Sequence, residues 1–317
     1  MDYSLLSRLE GCLWGLAIGE QFGRATPAAN ALLPKTASHR RHLATASDTD
    51  LTWSQFSLQA LQVMARSQPD SLAPTIVGDL GKFPPHSLNP ATLAIATLPI
   101  ALYYHDDLNR QRHSLWQVLD RIAVTSASRD WVAVFAYAIA QAVKGQLHPQ
   151  LFMSQVLAYY RVALVNGESS QAAIVLEQLK QVETCQVEFA SLSTIRATLG
   201  QAEEPAIAIA LICFLQAPED MQVALARCIR SSQIHASPNH APWLCALVGA
   251  LVGAYASTVS IPPAWKSSSL AAGSARGVWQ QIPATAEILY ASWAGLYEPA
   301  AIVSPLAVVA PWVRRGG

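Results

Sequence analysis

The sequence predicts an all-α protein, a helical bundle with an apolar C-terminal extension. Three observations predict it. Apolar residues recur at helical spacing through the long segments, and no segment shows the strict apolar–polar alternation of a half-buried strand. Glycine and alanine recur four residues apart in two stretches, near Gly11–Gly23 and Ala246–Ala254, leaving stripes nearly bare of side chain. Such stripes let helices approach closely. Hydrophobic residues make up 52% of the 317 residues and charged ones only 13%, about half the usual charged share, so there is a large core to enclose.

The totals exclude several functions. Lys+Arg and Asp+Glu balance at 21 each, so no net field recruits nucleic acid. The five cysteines are odd in number and form no CxxC, which argues for reduced, buried thiols and against a structural zinc site. The opening MDYSLLSRLEG lacks the basic-then-apolar order of a secretion signal, so the expected location is cytoplasmic.

Residues 3–22 read as a helix, with Leu5, Leu9, Cys12, Leu13 and Leu16 on its apolar side and Gly11, Gly15 and Gly19 as its thin stripe. The stripe suggests contact with another helix, that of residues 246–254 being the candidate. Residues 24–46 show no period, contain Pro27 and Pro34, and read as a loop ending in a solvated Arg-His cluster. Ser47-Asp48-Thr49-Asp50-Leu51-Thr52 precedes a periodic run and has the composition of a helix N-cap.

A Pro/Gly-rich connection over 68–90 leads to a helix through ATLAIATLPIALYYHDD, with a turn at Leu98-Pro99-Ile100. Residues 114–145 predict two amphipathic helices divided at Thr125–Ser128, with Gly145 as C-cap. Residues 150–200 are helical, and 203–233 form a Pro-led apolar helix, an acidic turn at Glu219-Asp220 and a further helix.

No charged residue lies between His240 and Lys266. That stretch is long enough to cross a bilayer. Its Ala/Gly/Ser/Thr-rich composition, the lack of a basic N-terminal flank and the Pro262-Pro263 stop favour the central helix of a soluble bundle. After Trp265 comes a Ser/Gly-rich linker and a tail carrying Trp279, Trp293 and Trp312, expected to pack on the bundle or on a partner. The expected domains are therefore a helical domain over 1–265 and an extension over 266–317.

Two of these stretches carry a family resemblance. Gly249-Ala250-Leu251-x-Gly253-Ala254-Tyr255, followed by Ile261-Pro262-x-x-Trp265, resembles the C-terminal signature of the ADP-ribosylglycohydrolases. Gly11, Gly15, Ala17, Gly19 and Gly23 match the glycines and alanine of the family's opening helix, with Glu20 in place of its aspartate. Thr49-Asp50-Leu51-Thr52 resembles the family's Thr-Asp-Asp-Thr with the second aspartate replaced by Leu51. The resemblance spans about residues 8–265.

It implies an all-α fold that is a single compact orthogonal helical bundle, an ADP-ribose-like ligand and a pair of Mg²⁺ or Mn²⁺ ions held by carboxylate and threonine oxygens. Carried over by motif, the ligand positions are Thr49, Asp50, Leu51, His240, Pro242 and Trp243, because the family's Gly-Gly-Asp-Thr-Asp-Thr aligns with Pro238–Trp243. Only Thr49 and Asp50 keep an oxygen, and hard dications need several. The site residues expected in a vestigial cleft are Glu20, Thr49, Asp50, Thr52 and His240, with no catalytic residue and no cofactor. A rescue by one transition metal would use Asp48, Asp50, His235 and His240, but Pro238 keeps the two histidines off a common helix face.

Two functions compete. One is an inactive relative serving as a binding, scaffold or regulatory protein, engaging a protein partner through apolar surface and the 279–317 tail, or a membrane surface. The other is an active hydrolase that removes ADP-ribose from side chains, or cleaves a related glycosidic bond, with altered ligands and Mg²⁺ or Mn²⁺.

Overall fold

Two long helices lie antiparallel against each other with almost no side chain between them. A computed structural model describes residues 3–25, 52–66, 76–78, 80, 88–122, 124–165, 172–187, 194, 205–234, 241–271 and 279–296. In it α1 (Leu5–Ala25) packs on α11 (Ala241–Ala256). A Cβ added to Gly11 would run into the Gly253 carbonyl, one on Gly15 into that of Gly249, and one on Gly19 into that of Cys245. On Gly23 it would meet the Ala241 carbonyl. Each four-residue step along α1 matches a four-residue step back along α11, so the thin stripes seen in the sequence face each other.

Around this pair lie α2 (Trp53–Arg66), α3 (Pro90–Ala96), α4 (Leu98–Tyr103), α5 (Leu108–Arg121), α6 (Ser126–Val143), α7 (Phe152–Val165), α8 (Ala172–Val187), α9 (Pro205–Leu215) and α10 (Met221–Ile234). A short 3₁₀ turn (Ser257–Ser260), α12 (Pro263–Ala271) and α13 (Ile282–Trp293) complete the order. No strand occurs among the described residues. The α1–α11 pair is the centre: α10, α9, α6 and α3 pack on α11, while α13 and α2 pack on α1.

The helix starts are built from short polar side chains that satisfy the free N–H groups of a first turn. Asn89 and Thr92 form a reciprocal capping box at α3, Asp107 accepts from the N–H of Asn109 and Arg110 at α5, and Thr125 accepts from Ser128 N–H at α6. At the other end of α6, Gly145 takes φ 72°, a left-handed C-cap that leaves its N–H bonded to the Ala142 carbonyl at 3.0 Å.

Arg8 ties two helix ends together. It is only 6% exposed, and its Nη1 donates to the carbonyls of Ala142 at 2.8 Å and Tyr255 at 3.0 Å, in the last turns of α6 and α11. A cation at two negative helix ends is favourable on both counts.

Three boundaries differ from the sequence reading. The turn read at Leu98-Pro99-Ile100 falls instead at Thr97, and those three residues open α4, because Pro99 has no N–H to give and suits a helix start. The central helix ends at Ala256, ahead of Pro262, where Ser257 turns to φ 60° and the 3₁₀ turn begins. The segment read as linker after Trp265 starts as helix, α12.

The 20-residue stretch Ala241–Ser260, of mean hydropathy 1.6, is long and apolar enough to cross a membrane, yet 72% of its most apolar window is buried in the protein. Trp279 is 1% exposed, and α13 lies on α1 and α2. All five cysteines are free and buried, with the Cys245 thiol 3.1 Å from the Cys228 sulfur. Burial pushes the Cys213 thiol up to about 12.

Candidate functional site: the Glu20 helix junction

The last turn of α1 brings together the first turns of α2 and α11. Gly19 and Gly23 hold α11 at backbone distance, and Glu20, on the same turn, reaches α2. This junction is where the family resemblance places ligand positions.

Glu20 is 1% exposed. Its Oε2 accepts the Ser54 N–H at 2.8 Å, and its Oε1 accepts the Trp53 N–H at 3.2 Å and Arg24 Nη2 at 2.9 Å. The ion pair with Arg24 follows from i, i+4 placement on α1. The carboxylate therefore sits at the positive end of α2, bonded to two of its free N–H groups and neutralised by a guanidinium.

Thr52 completes the same helix start. Its Oγ1 accepts the Gln55 N–H at 3.2 Å, and Gln55 Oε1 accepts the Thr52 N–H at 2.9 Å. This is a reciprocal capping box. Between them Glu20 and Thr52 occupy the N–H groups of Trp53, Ser54 and Gln55. The Thr-x-x-Gln spacing was visible in the sequence; the part played by Gln55 and Arg24 was not drawn from it.

On the α11 side, Pro242 and Trp243 are half-buried in the first turn and bring no carboxylate or hydroxyl. Trp265, the last residue of the C-terminal signature, packs its ring 5.5 Å from that of Phe22. Trp53 and Phe56 meet edge to face at 5.9 Å.

Of the residues read as site candidates, Glu20 and Thr52 come together at the α2 start. Thr49, Asp50, Leu51 and His240, with the transition-metal candidates Asp48 and His235, lie outside the described residues. No three His, Cys, Asp or Glu side chains converge to hold a metal among the described residues. A Mg²⁺ or Mn²⁺ pair implied by the resemblance would have to draw on Glu20, whose two oxygens already accept three protein donors. The described part of the donor set does not fit two dications, which need many oxygens and carboxylate charge.

Comparison with known proteins gives the family. The family model described as ADP-ribosylglycohydrolase matches residues 35–298. A solved structure titled "ADP-ribosylglycohydrolase-related protein complex" is similar with a TM-score of 0.52 at 15% identity, covering 92% of this chain and 99% of that one. At that identity the likeness shows the fold. No curated protein matches. The facing glycine stripes, the all-helical order and the extent of the family match agree: this chain belongs to the ADP-ribosylglycohydrolase family.

Proposed function

We propose that the chain keeps the family's helical scaffold without its dinuclear metal hydrolysis, and works as a binding or scaffold protein. One observation carries the proposal. The acid that takes the place of the family's aspartate, Glu20, is spent on holding the start of α2 and on Arg24. A carboxylate released from that role would leave two buried N–H groups and a guanidinium without their acceptor, a cost of several kcal/mol by order of magnitude. Pro242 and Trp243 support the same reading, since neither side chain can ligate a hard cation.

The partner expected is a protein, engaged through apolar surface. Trp279 and α13 already pack on the chain's own helices, so the informative truncation removes residues 297–317 and leaves α13 in place. The test of the proposal is turnover. Purified chain with an ADP-ribosylated protein, in millimolar Mg²⁺ or Mn²⁺, is expected to release no ADP-ribose above the rate of the Asp50→Ala variant. Release that depends on Asp50 would establish the other reading, a hydrolase with altered ligands.

A further inference from the structure

The interface between α10 and α11 holds two thiols in contact. Cys228 on α10 and Cys245 on α11 are fully buried, and their sulfurs lie 3.1 Å apart. A disulfide needs about 2.05 Å between sulfurs, so the bond asks for a shift of about 1 Å. Cys245 is held on the central seam by its backbone, since its carbonyl lies where a Cβ on Gly19 would fall, while its thiol meets α10. Cys213 on α9 is the competing thiol, but its Sγ is 3.8 Å from the Ser231 hydroxyl and so has a partner of its own.

Burial decides when this pair can react. It holds the Cys228 thiol well above its usual range, and the neighbouring Cys245 adds to the effect. Exchange with a disulfide needs a thiolate and a path to it. With both side chains shut away, the closed fold offers neither. Exchange therefore waits for α10 to part locally from α11, an opening short of global unfolding. The same burial shields a bond once it has formed and the helices have closed again.

We propose that Cys228 and Cys245 form a redox latch, converted to a disulfide by a small disulfide of the glutathione class while α10 and α11 are apart. One cysteine, as thiolate, attacks the small disulfide, expels one small thiolate and becomes a mixed disulfide. The other loses its proton and displaces the second small thiolate. Two protein thiols and one small disulfide thus give one protein disulfide and two small thiols. The new bond encloses residues 229–244 and ties α10 to the α1–α11 pair, which restricts the unfolded chain and raises stability.

The test is incubation of the reduced full chain with oxidised glutathione, with and without urea below the unfolding transition. Samples are quenched in acid, alkylated under denaturing conditions and mapped by mass spectrometry. The expected product is a Cys228–Cys245 link that forms at least about tenfold faster in the urea. The thermal midpoint of the cross-linked chain is expected to rise by about 3–10 °C. Dithiothreitol should then reduce the link faster in urea than without it. The proposal is overturned if no such link forms, if Cys213 replaces either partner, or if glutathione stays attached to Cys228 or Cys245. It is overturned also if urea leaves either rate unchanged, or if the cross-linked chain melts no higher than the reduced one.

Discussion

Glu20 accepts the backbone N–H of Ser54 at 2.8 Å, fastening the end of α1 to the start of α2 across a stretch of 34 positions. The bond is charge-assisted and buried, and the same carboxylate takes the Trp53 N–H. Replacing Glu20 with alanine is expected to destabilise the protein by about 3 kcal/mol, and with glutamine by about half that. Urea unfolding of the two variants measures it. A cost near zero for alanine would show that the carboxylate does not hold the junction.

The glycine stripes make a sharper test of packing. Gly15→Ala and Gly249→Ala each place a methyl against the backbone of the facing helix, where no flexible side chain can yield. Each is expected to cost about 3 kcal/mol or to abolish folding, at or beyond the upper end of ordinary overpacking. Gly78→Ala, with nothing within 4 Å of the new methyl, is the control and is expected to be neutral or mildly stabilising. Circular dichroism melts of the three variants decide it.

Arg8→Met keeps much of the apolar length of the side chain and removes the guanidinium. Two last-turn carbonyls, of Ala142 and Tyr255, then lose their charged donor. The expected loss is about 2–4 kcal/mol, and Arg8→Lys should recover only part of it, because the shorter lysine has no counterpart of the Nε that also donates to the Tyr3 carbonyl at 3.4 Å. Equilibrium denaturation of both variants checks the order.

His105 gives the stability a pH dependence. It is buried, its Nδ1 lies 2.8 Å from the Leu102 carbonyl, and its ring is 5.2 Å from that of Trp293. Burial lowers its titration, the Leu102 bond and Asp106 act in the opposite sense, and Lys144 adds to the lowering. The unfolded chain therefore takes up this proton first as pH falls through the ordinary histidine range, about 6.5. Stability from this group is present above that range and falls as pH drops below it. The melting temperature of the native chain is expected to fall more between pH 7 and pH 5 than that of His105→Gln, and equal falls would remove His105 as the cause.

The pairing of α1 with α11 was legible because four-residue glycine spacing is a property of a helix by itself, needing no knowledge of its neighbour. The register, Gly15 on Gly249, was not, because two stripes of the same four-residue period also match after a slip of four. The break at Thr97 was less legible, since Pro99 can kink a helix or start one and only packing decides. The early end at Ala256 depends on Ser257 taking a left-handed φ of 60°, which nothing in a serine announces. Glu20 was singled out as an acid in a ligand position. Its actual partners are two backbone N–H groups, and backbone groups leave no mark in a pattern of side chains. The contact between Cys228 and Cys245 was missed for a related reason, being made only when α10 packs on α11.

The most direct measurement is calorimetric titration of Mg²⁺ and then Mn²⁺ into the purified, metal-free chain, followed by ADP-ribose. The account expects no two-site metal binding at millimolar concentration and the same heats for the native chain and Asp50→Ala. Two bound ions per chain, lost in Asp50→Ala, would contradict it.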